Sequence, residues 1–257
     1  MSGKRILYIN PGEKDEVLDN QVRDFLLPYK SPLTAEIDVV SMPQTPQHLE
    51  YHAYHALIAP EILREVVRGE QAGYDGCILG CFDDPCLDAA REVCRRMVVT
   101  GACEASVHLA ATLSHRFSVI VGRPAWETRM RPRVLEYVAP QRLASFRSVG
   151  LGVLEFQADP ARTQELIRQA VLAAVSQDHA EAIVLGCTME FGFFKQLQAE
   201  CGVPVIDACL APLKYLEYLL NVKEQCGWSA SKAGAWASPP SGELAAWGLT
   251  EKFGFSL

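Results

Sequence analysis

The sequence predicts a parallel α/β protein built twice over. Short apolar runs alternate with longer stretches of helical periodicity along most of the chain, the pattern of strands joined by crossover helices. The segment Asp75-Gly-Cys-Ile-Leu-Gly-Cys81 returns 106 residues later as Glu181-Ala-Ile-Val-Leu-Gly-Cys187. The match then continues without a gap, aligning Val99-Thr-Gly-Ala-Cys103 with Val205-Ile-Asp-Ala-Cys209. At 257 residues the chain is long enough for one large or two small domains, each with its own core.

In the first half the apolar runs predict strands at Ile6–Ile9, Ile37–Val40, Cys77–Leu79 and Met97–Thr100. Helical periodicity places helices at Val17–Pro28, Ile58–Gln71, Pro85–Arg96 and Glu104–Leu113. The second half repeats the order. Its strands are predicted at Phe117–Val121, Val149–Leu154, Ala182–Leu185 and Val203–Ile206, and its helices at Ala125–Tyr137, Ala161–Gln177, Phe191–Glu200 and Leu210–Val222. The stretch Met42–Tyr54, rich in Pro, Gln and His, reads as a loop able to cover a site. Residues 1–100 with about 208–225 make the first expected lobe, 101–207 the second, and 226–257 a C-terminal extension. That extension holds Trp228, Trp236 and Trp247 and has no counterpart in the first half; its aromatic content argues for packing rather than disorder.

Composition narrows the function. Hydrophobic residues make up 49% and charged residues 21%, as in ordinary globular proteins. A net charge of −7 argues against a nucleic-acid surface or a polybasic membrane anchor. No apolar run reaches the roughly 18 residues of a membrane helix, and the start leads straight into a strand pattern without a signal peptide. Nine cysteines, odd in number and several of them inside apolar elements, fit a reduced cytoplasmic protein better than a disulfide framework.

Cys81 and Cys187 fall beyond the carboxyl ends of their strands, where open parallel sheets bind ligands. The duplication therefore suggests a pseudo-symmetric cleft with one thiol on each side. Two opposed thiols are what an enzyme without a cofactor needs to take a proton from one face of a carbon and return it to the other. Asp84-Pro85 reads as the N-cap and first residue of the next helix, and Thr188 precedes another helix. Each thiol is thus expected near a helix N-terminus that lowers its pKa. Cys103 and Cys209 also correspond, but their small apolar neighbours point to packing. His48, His52 and His55 have helical spacing yet no acidic or cysteine-rich partner, so they read as a solvated loop rather than a metal site. Asp83 and Glu190 flank the two cysteines and are placed to orient a thiol or a substrate N–H. Glu104, at a helix start, suits the helix dipole.

Four segments resemble the aspartate/glutamate/hydantoin racemase superfamily, nearest its hydantoin and allantoin racemase branch. They are Ile6-Leu-Tyr-Ile-Asn-Pro11, the loop and helix from Gly80-Cys-Phe-Asp-Asp-Pro to Glu92, Gly101-Ala-Cys-Glu-Ala-Ser106, and Gly186-Cys-Thr-Met189. The resemblance spans roughly residues 4–222 and implies two pseudo-symmetric flavodoxin-like lobes with parallel sheets and the active site between them. It also implies a small-molecule substrate, no cofactor and no metal, with Cys81 and Cys187 as the acid/base pair. Asn10, Phe82, Asp83, Glu104 and Thr188 are the expected substrate-binding residues. A homo-oligomer is expected. After Asn10-Pro11 the branch often carries Asn followed by Ser or Thr, where this chain has Gly12-Glu13.

The expected reaction is stereoinversion beside a carbonyl, with a 5-substituted hydantoin or allantoin as substrate. Phe82, Phe191, Phe193 and Phe194 near the cysteines favour this over an aspartate- or glutamate-type substrate. A decarboxylase of the superfamily is expected to keep one cysteine, whereas this chain has both. A cis–trans isomerase with a cysteine nucleophile is a further reading, and a two-lobed binding protein without turnover is the rival outside enzymes.

Overall fold

A computed structural model describes residues 3–255; the first two residues of the chain and the last two of the extension lie outside the described residues. Two four-stranded parallel sheets form. In the first, β1 (Lys4–Glu13), β2 (Thr34–Met42), β3 (Gly76–Leu79) and β4 (Val98–Gly101) run in the order β2-β1-β3-β4. In the second, β5 (Phe117–Val121), β6 (Leu143–Ser148), β7 (Ala182–Leu185) and β8 (Val205–Asp207) run in the equivalent order β6-β5-β7-β8. Central strands such as β3, β5 and β7 are buried along their length, which is why they read as unbroken apolar runs rather than alternating ones.

The joining helices are α1 (Glu16–Leu26), α2 (His52–Gln71), α3 (Leu87–Val93), α4 (Ala102–Leu113), α5 (Pro124–Tyr137), α6 (Pro160–Asp178), α7 (Phe194–Cys201) and α8 (Ala211–Cys226). Short helices α9 (Glu243–Ala246) and α10 (Thr250–Phe253) follow in the extension. Among the described residues no helix is long and apolar enough to cross a membrane.

Two expectations about elements are corrected. The second strand of the second half is Leu143–Ser148, not Val149–Leu154. Leu143 and Phe146 bury themselves in the core, whereas Gly150 takes φ +78° and a 3-10 turn covers Val153–Glu155. The helix expected from Ile58 begins at His52, so His52 and His55 lie in its first turn rather than in a loop. His48, still in the loop, packs its ring against Tyr54 at 5.4 Å.

The chain divides into two compact units. The first contains Met1–Leu79, Pro85–Thr100 and Lys214–Leu257; the second contains Gly80–Asp84 and Gly101–Leu213. The Cys81 loop, which the sequence places in the first lobe, thus belongs by its contacts to the second unit. The core of that unit is formed by β5, β7 and their helices, with Trp126, Phe117 and Phe156 as large buried members.

In the first unit the extension packs onto α3. Trp236 donates its ring N–H to Asp88 at 2.9 Å, and the Arg91 guanidinium lies 4.6 Å from the Trp236 ring. Lys232 Nζ donates to the Arg91 and Glu92 carbonyls, and Ser238 donates to the Glu92 carbonyl. A lysine on the last carbonyls of a short helix satisfies acceptors that the helix itself leaves open.

Candidate active site

Two loops of the second unit carry the cysteines. Gly80-Cys81 follows β3, and Gly186-Cys187 follows β7. Each loop closes with the same turn: Asp84 N–H donates to the Cys81 carbonyl at 3.0 Å, and Glu190 N–H to the Cys187 carbonyl at 2.9 Å. Gly186 is required by packing, because a Cβ there would lie 2.7 Å from the Ile120 carbonyl oxygen. Thr188 donates its hydroxyl to the Gly80 carbonyl at 3.0 Å, joining the residue before one cysteine to the residue after the other. That bond is a tie between loops more than 100 residues apart in sequence.

Asp84 caps a helix, but not the expected one. The next helix, α3, starts only at Leu87, after a left-handed Cys86 that offers no side-chain cap. Asp84 turns instead to the start of α4. It accepts from the Cys103 and Glu104 N–H groups, each at 2.8 Å, and from the Tyr137 hydroxyl at 2.8 Å. This posture needs left-handed backbone at Asp84 (φ +47°) and Cys86 (φ +62°), a conformation that costs a non-glycine residue on the order of 1 kcal/mol. It also needs Gly101, where a Cβ would lie 2.2 Å from an Asp84 carboxylate oxygen. Burial raises the Asp84 carboxyl to about 7 even though three donors favour its charged form.

Consequently the helix N-termini do not do to Cys81 what the sequence suggests. The α4 terminus is filled by Asp84, and α3 begins too far along the chain. Burial dominates instead and pushes the Cys81 thiol up to about 12, with the nearby Asp83 carboxylate adding to the rise. Two groups oppose it: the Asp83 backbone N–H at the sulfur, and the Arg129 guanidinium. Arg129 pairs with Asp83 at 2.5 Å, and both side chains are nearly buried. Asp83 is therefore tied to Arg129, and Cys81 rests as the thiol, the proton-donating form.

Cys187 is buried, and Thr188–Glu190 forms a single 3-10 turn after it. Glu190 is completely buried, and neither carboxyl oxygen has a hydrogen-bond partner. Asp207, at the end of β8, accepts from Gly192 N–H at 2.9 Å, Cys209 N–H at 2.9 Å and Leu210 N–H at 3.2 Å. Gln157 donates to the Met189 carbonyl at 2.8 Å and further fixes this loop.

Of the other expected residues, Phe82 is buried in the core of the second unit, so the group it can offer a substrate is its backbone. Glu104 is also buried, and its N–H is engaged by Asp84. Asn10, in the first unit, donates its amide to Asp19 at 3.3 Å. Glu13 accepts from Gln47 and is exposed. Arg129, Tyr137 and Asp207 were not singled out by sequence. Arg129, Arg133 and Tyr137 recur every four residues on α5, and that spacing was the available sign that one face of this helix is polar and half-buried. Among the described residues no group of three or more His, Cys, Asp or Glu side chains is arranged to hold a metal ion.

The Asp/Glu/hydantoin racemase family model matches residues 16–216. A hydantoin racemase from Rhizobium meliloti is 39% identical over 195 residues, covering 76% of this chain and 79% of the relative. One from Pseudomonas sp. (strain NS671) is 36% identical over 219 residues, 85% of each chain. Among solved structures, an allantoin racemase from Klebsiella pneumoniae superposes with a TM-score of 0.85 at 30% identity, covering 95% of this chain and 98% of its own. The chain belongs to the Asp/Glu/hydantoin racemase family, and it is a racemase, an isomerase acting on a small molecule.

Proposed function

We propose that the protein inverts the ring carbon of a 5-substituted hydantoin, or of allantoin, by two-thiol acid/base catalysis without a cofactor. The observation that carries this reading is the Thr188–Gly80 bond, which holds together two loops closed by the corresponding backbone hydrogen bond, each carrying a cysteine. One sulfur, as thiolate, takes the ring-carbon proton. The electron pair left behind spreads into the neighbouring carbonyl as a planar enolate. The other sulfur, as thiol, gives its proton to the opposite face. The enolate oxygen requires hydrogen-bond donors, and backbone N–H groups of the cysteine loops, Phe82's among them, are proposed for it, because the Thr188 hydroxyl, the Glu104 N–H and the Asp83 carboxylate are already engaged.

A high thiol pKa suits this substrate class. A thiolate of high pKa is a strong base, and a hydantoin ring proton is more acidic than the α-proton of an amino acid. The resting thiol at Cys81 supplies the acid. Free aspartate or glutamate would also bring charges that must be desolvated beside the half-buried Phe191, Phe193 and Phe194. The nine free cysteines support a reducing, cytoplasmic setting. Exposed Trp228 and Trp247 on the extension support self-association.

The reading is checked by following the optical rotation of pure enantiomers. A cyclic ureide is expected to lose rotation at least about ten-fold faster than aspartate or glutamate, a difference of roughly 1.4 kcal/mol in barrier. Racemisation of aspartate with none of any hydantoin or allantoin would overturn the substrate assignment and leave the two thiols in place.

A further inference from the structure

The two halves of the chain solve one capping problem in different ways, and the difference leaves Glu190 over. The 106-residue offset maps Asp84 onto Glu190, Gly101 onto Asp207, Cys103 onto Cys209 and Glu104 onto Leu210. In the first half the loop acid, Asp84, takes the N–H groups of Cys103 and Glu104, and Gly101 makes room for it. In the second half the strand-end acid, Asp207, takes the N–H groups of the corresponding Cys209 and Leu210. The loop acid of that half, Glu190, thereby loses the donors its counterpart uses. Its carboxyl is nevertheless fully buried, with neither oxygen hydrogen-bonded.

A fully buried carboxylate whose one nearby donor, the Cys187 N–H, is out of hydrogen-bond geometry is too unfavourable to persist, whereas the neutral acid is tolerated. Asp207 holds three backbone donors, which favour its charged form, so of the two acids Glu190 is the one that keeps a proton. We infer that Glu190 is a neutral, proton-holding positioning residue that keeps negative charge away from Cys187. This inference rests on the two-thiol reading and deepens it at the Cys187 side. The groups facing Glu190 are Asp207, from β8, and the backbone N–H of Cys187, from its own loop. Burial first, and Asp207 second, hold its carboxyl well above the usual range, with the Cys187 N–H opposing them. Cys81 differs: its neighbouring acid, Asp83, is paired with Arg129 and still raises the thiol, an effect that Arg129 opposes only in part. Ionised Glu190 would set a second anion beside Asp207 and raise the proton affinity of Cys187.

The sign of the pH effect follows. Glu190 binds its proton more tightly when folded, so its contribution is most favourable below the ordinary glutamate pKa of about 4.3 and is lost as pH rises toward its folded value. Glu190→Gln mimics the neutral acid. It should keep activity at neutral pH within about two-fold, extend the alkaline limb of the pH–rate profile upward by at least one pH unit, and equal or exceed the native melting temperature above neutrality. Infrared difference spectra of native protein against Glu190→Gln should show a protonated-carboxyl band at neutral pH that the variant lacks. That band is read without turnover, so it tests the proton even if the assumed substrate is wrong. Should Glu190→Gln not fold, Glu190→Ala takes its place in the difference spectrum, because Asp84, whose carboxyl is raised to about 7, also contributes to the native band; the Glu190 band so isolated and the activity should disappear together on the alkaline side. Absence of the band at neutral pH, inactivity of folded Glu190→Gln, an unshifted alkaline limb, or a native band that titrates apart from activity would each overturn the inference.

Discussion

Cys81→Ser and Cys187→Ser are each expected to lower kcat/KM for racemisation by about 10³-fold or more. Positioned acid/base groups contribute on the order of 10²–10⁴ each, and a hydroxyl cannot reach the anionic form that the proton-abstracting role demands. The fold should survive, because serine is slightly smaller than cysteine and both positions lie in loops. The two lesions should not add: inversion requires both sulfurs, so the double variant is expected to be little worse than either single one. Optical rotation of pure enantiomers measures this. Near-native racemisation by both single variants would exclude the pair as the acid and base.

Gly101→Ala should be strongly destabilising. The added Cβ would lie 2.2 Å from an Asp84 oxygen and must expel that carboxylate. The Cys103 and Glu104 N–H groups and the Tyr137 hydroxyl then lose their acceptor in a buried place. With each orphaned group costing about 1–3 kcal/mol, a loss of about 3–5 kcal/mol is expected, or a melting temperature roughly 10 °C lower. The second half indicates a remedy, because there the acid sits on the strand end itself. Gly101→Asp combined with Asp84→Gly rebuilds that arrangement and also relieves the left-handed backbone at position 84, so it should recover part of the loss. Thermal unfolding of the three proteins tests the argument; a Gly101→Ala protein as stable as the native one would refute it.

How much was legible follows from what each residue depends on. Strands such as Ala182–Leu185 were readable because a strand buried on both faces writes itself as an apolar run. The two Gly-Cys loops were readable because the duplication marks them. The strand Leu143–Ser148 was missed since its polar positions dilute the pattern, while the neighbouring Val149–Leu154 is apolar but broken by Gly150 and Gly152. Asp84 was recognised as a cap by type, but its helix was not, because a side chain in left-handed backbone can turn to a segment nearly twenty residues away. The expected lowering of the Cys81 pKa failed for the same reason: the helix terminus assigned to the thiol was already occupied. Arg129 and Asp207 act through tertiary contacts alone, and only the four-residue spacing on α5 hinted at one of them.

The most direct test of the central claim is to run the reaction from one pure enantiomer of a 5-substituted hydantoin in deuterated water and to analyse both enantiomers early. Two opposed thiols predict that each molecule of product carries deuterium at the inverted carbon, delivered by the second sulfur, while the remaining substrate keeps its original proton. In Cys81→Ser or Cys187→Ser, exchange without inversion is expected from one enantiomer only, the one whose face still meets a thiolate. Product formed with its original proton retained would contradict the account, because it would mean that a single group removes and returns the proton and that the second cysteine takes no part.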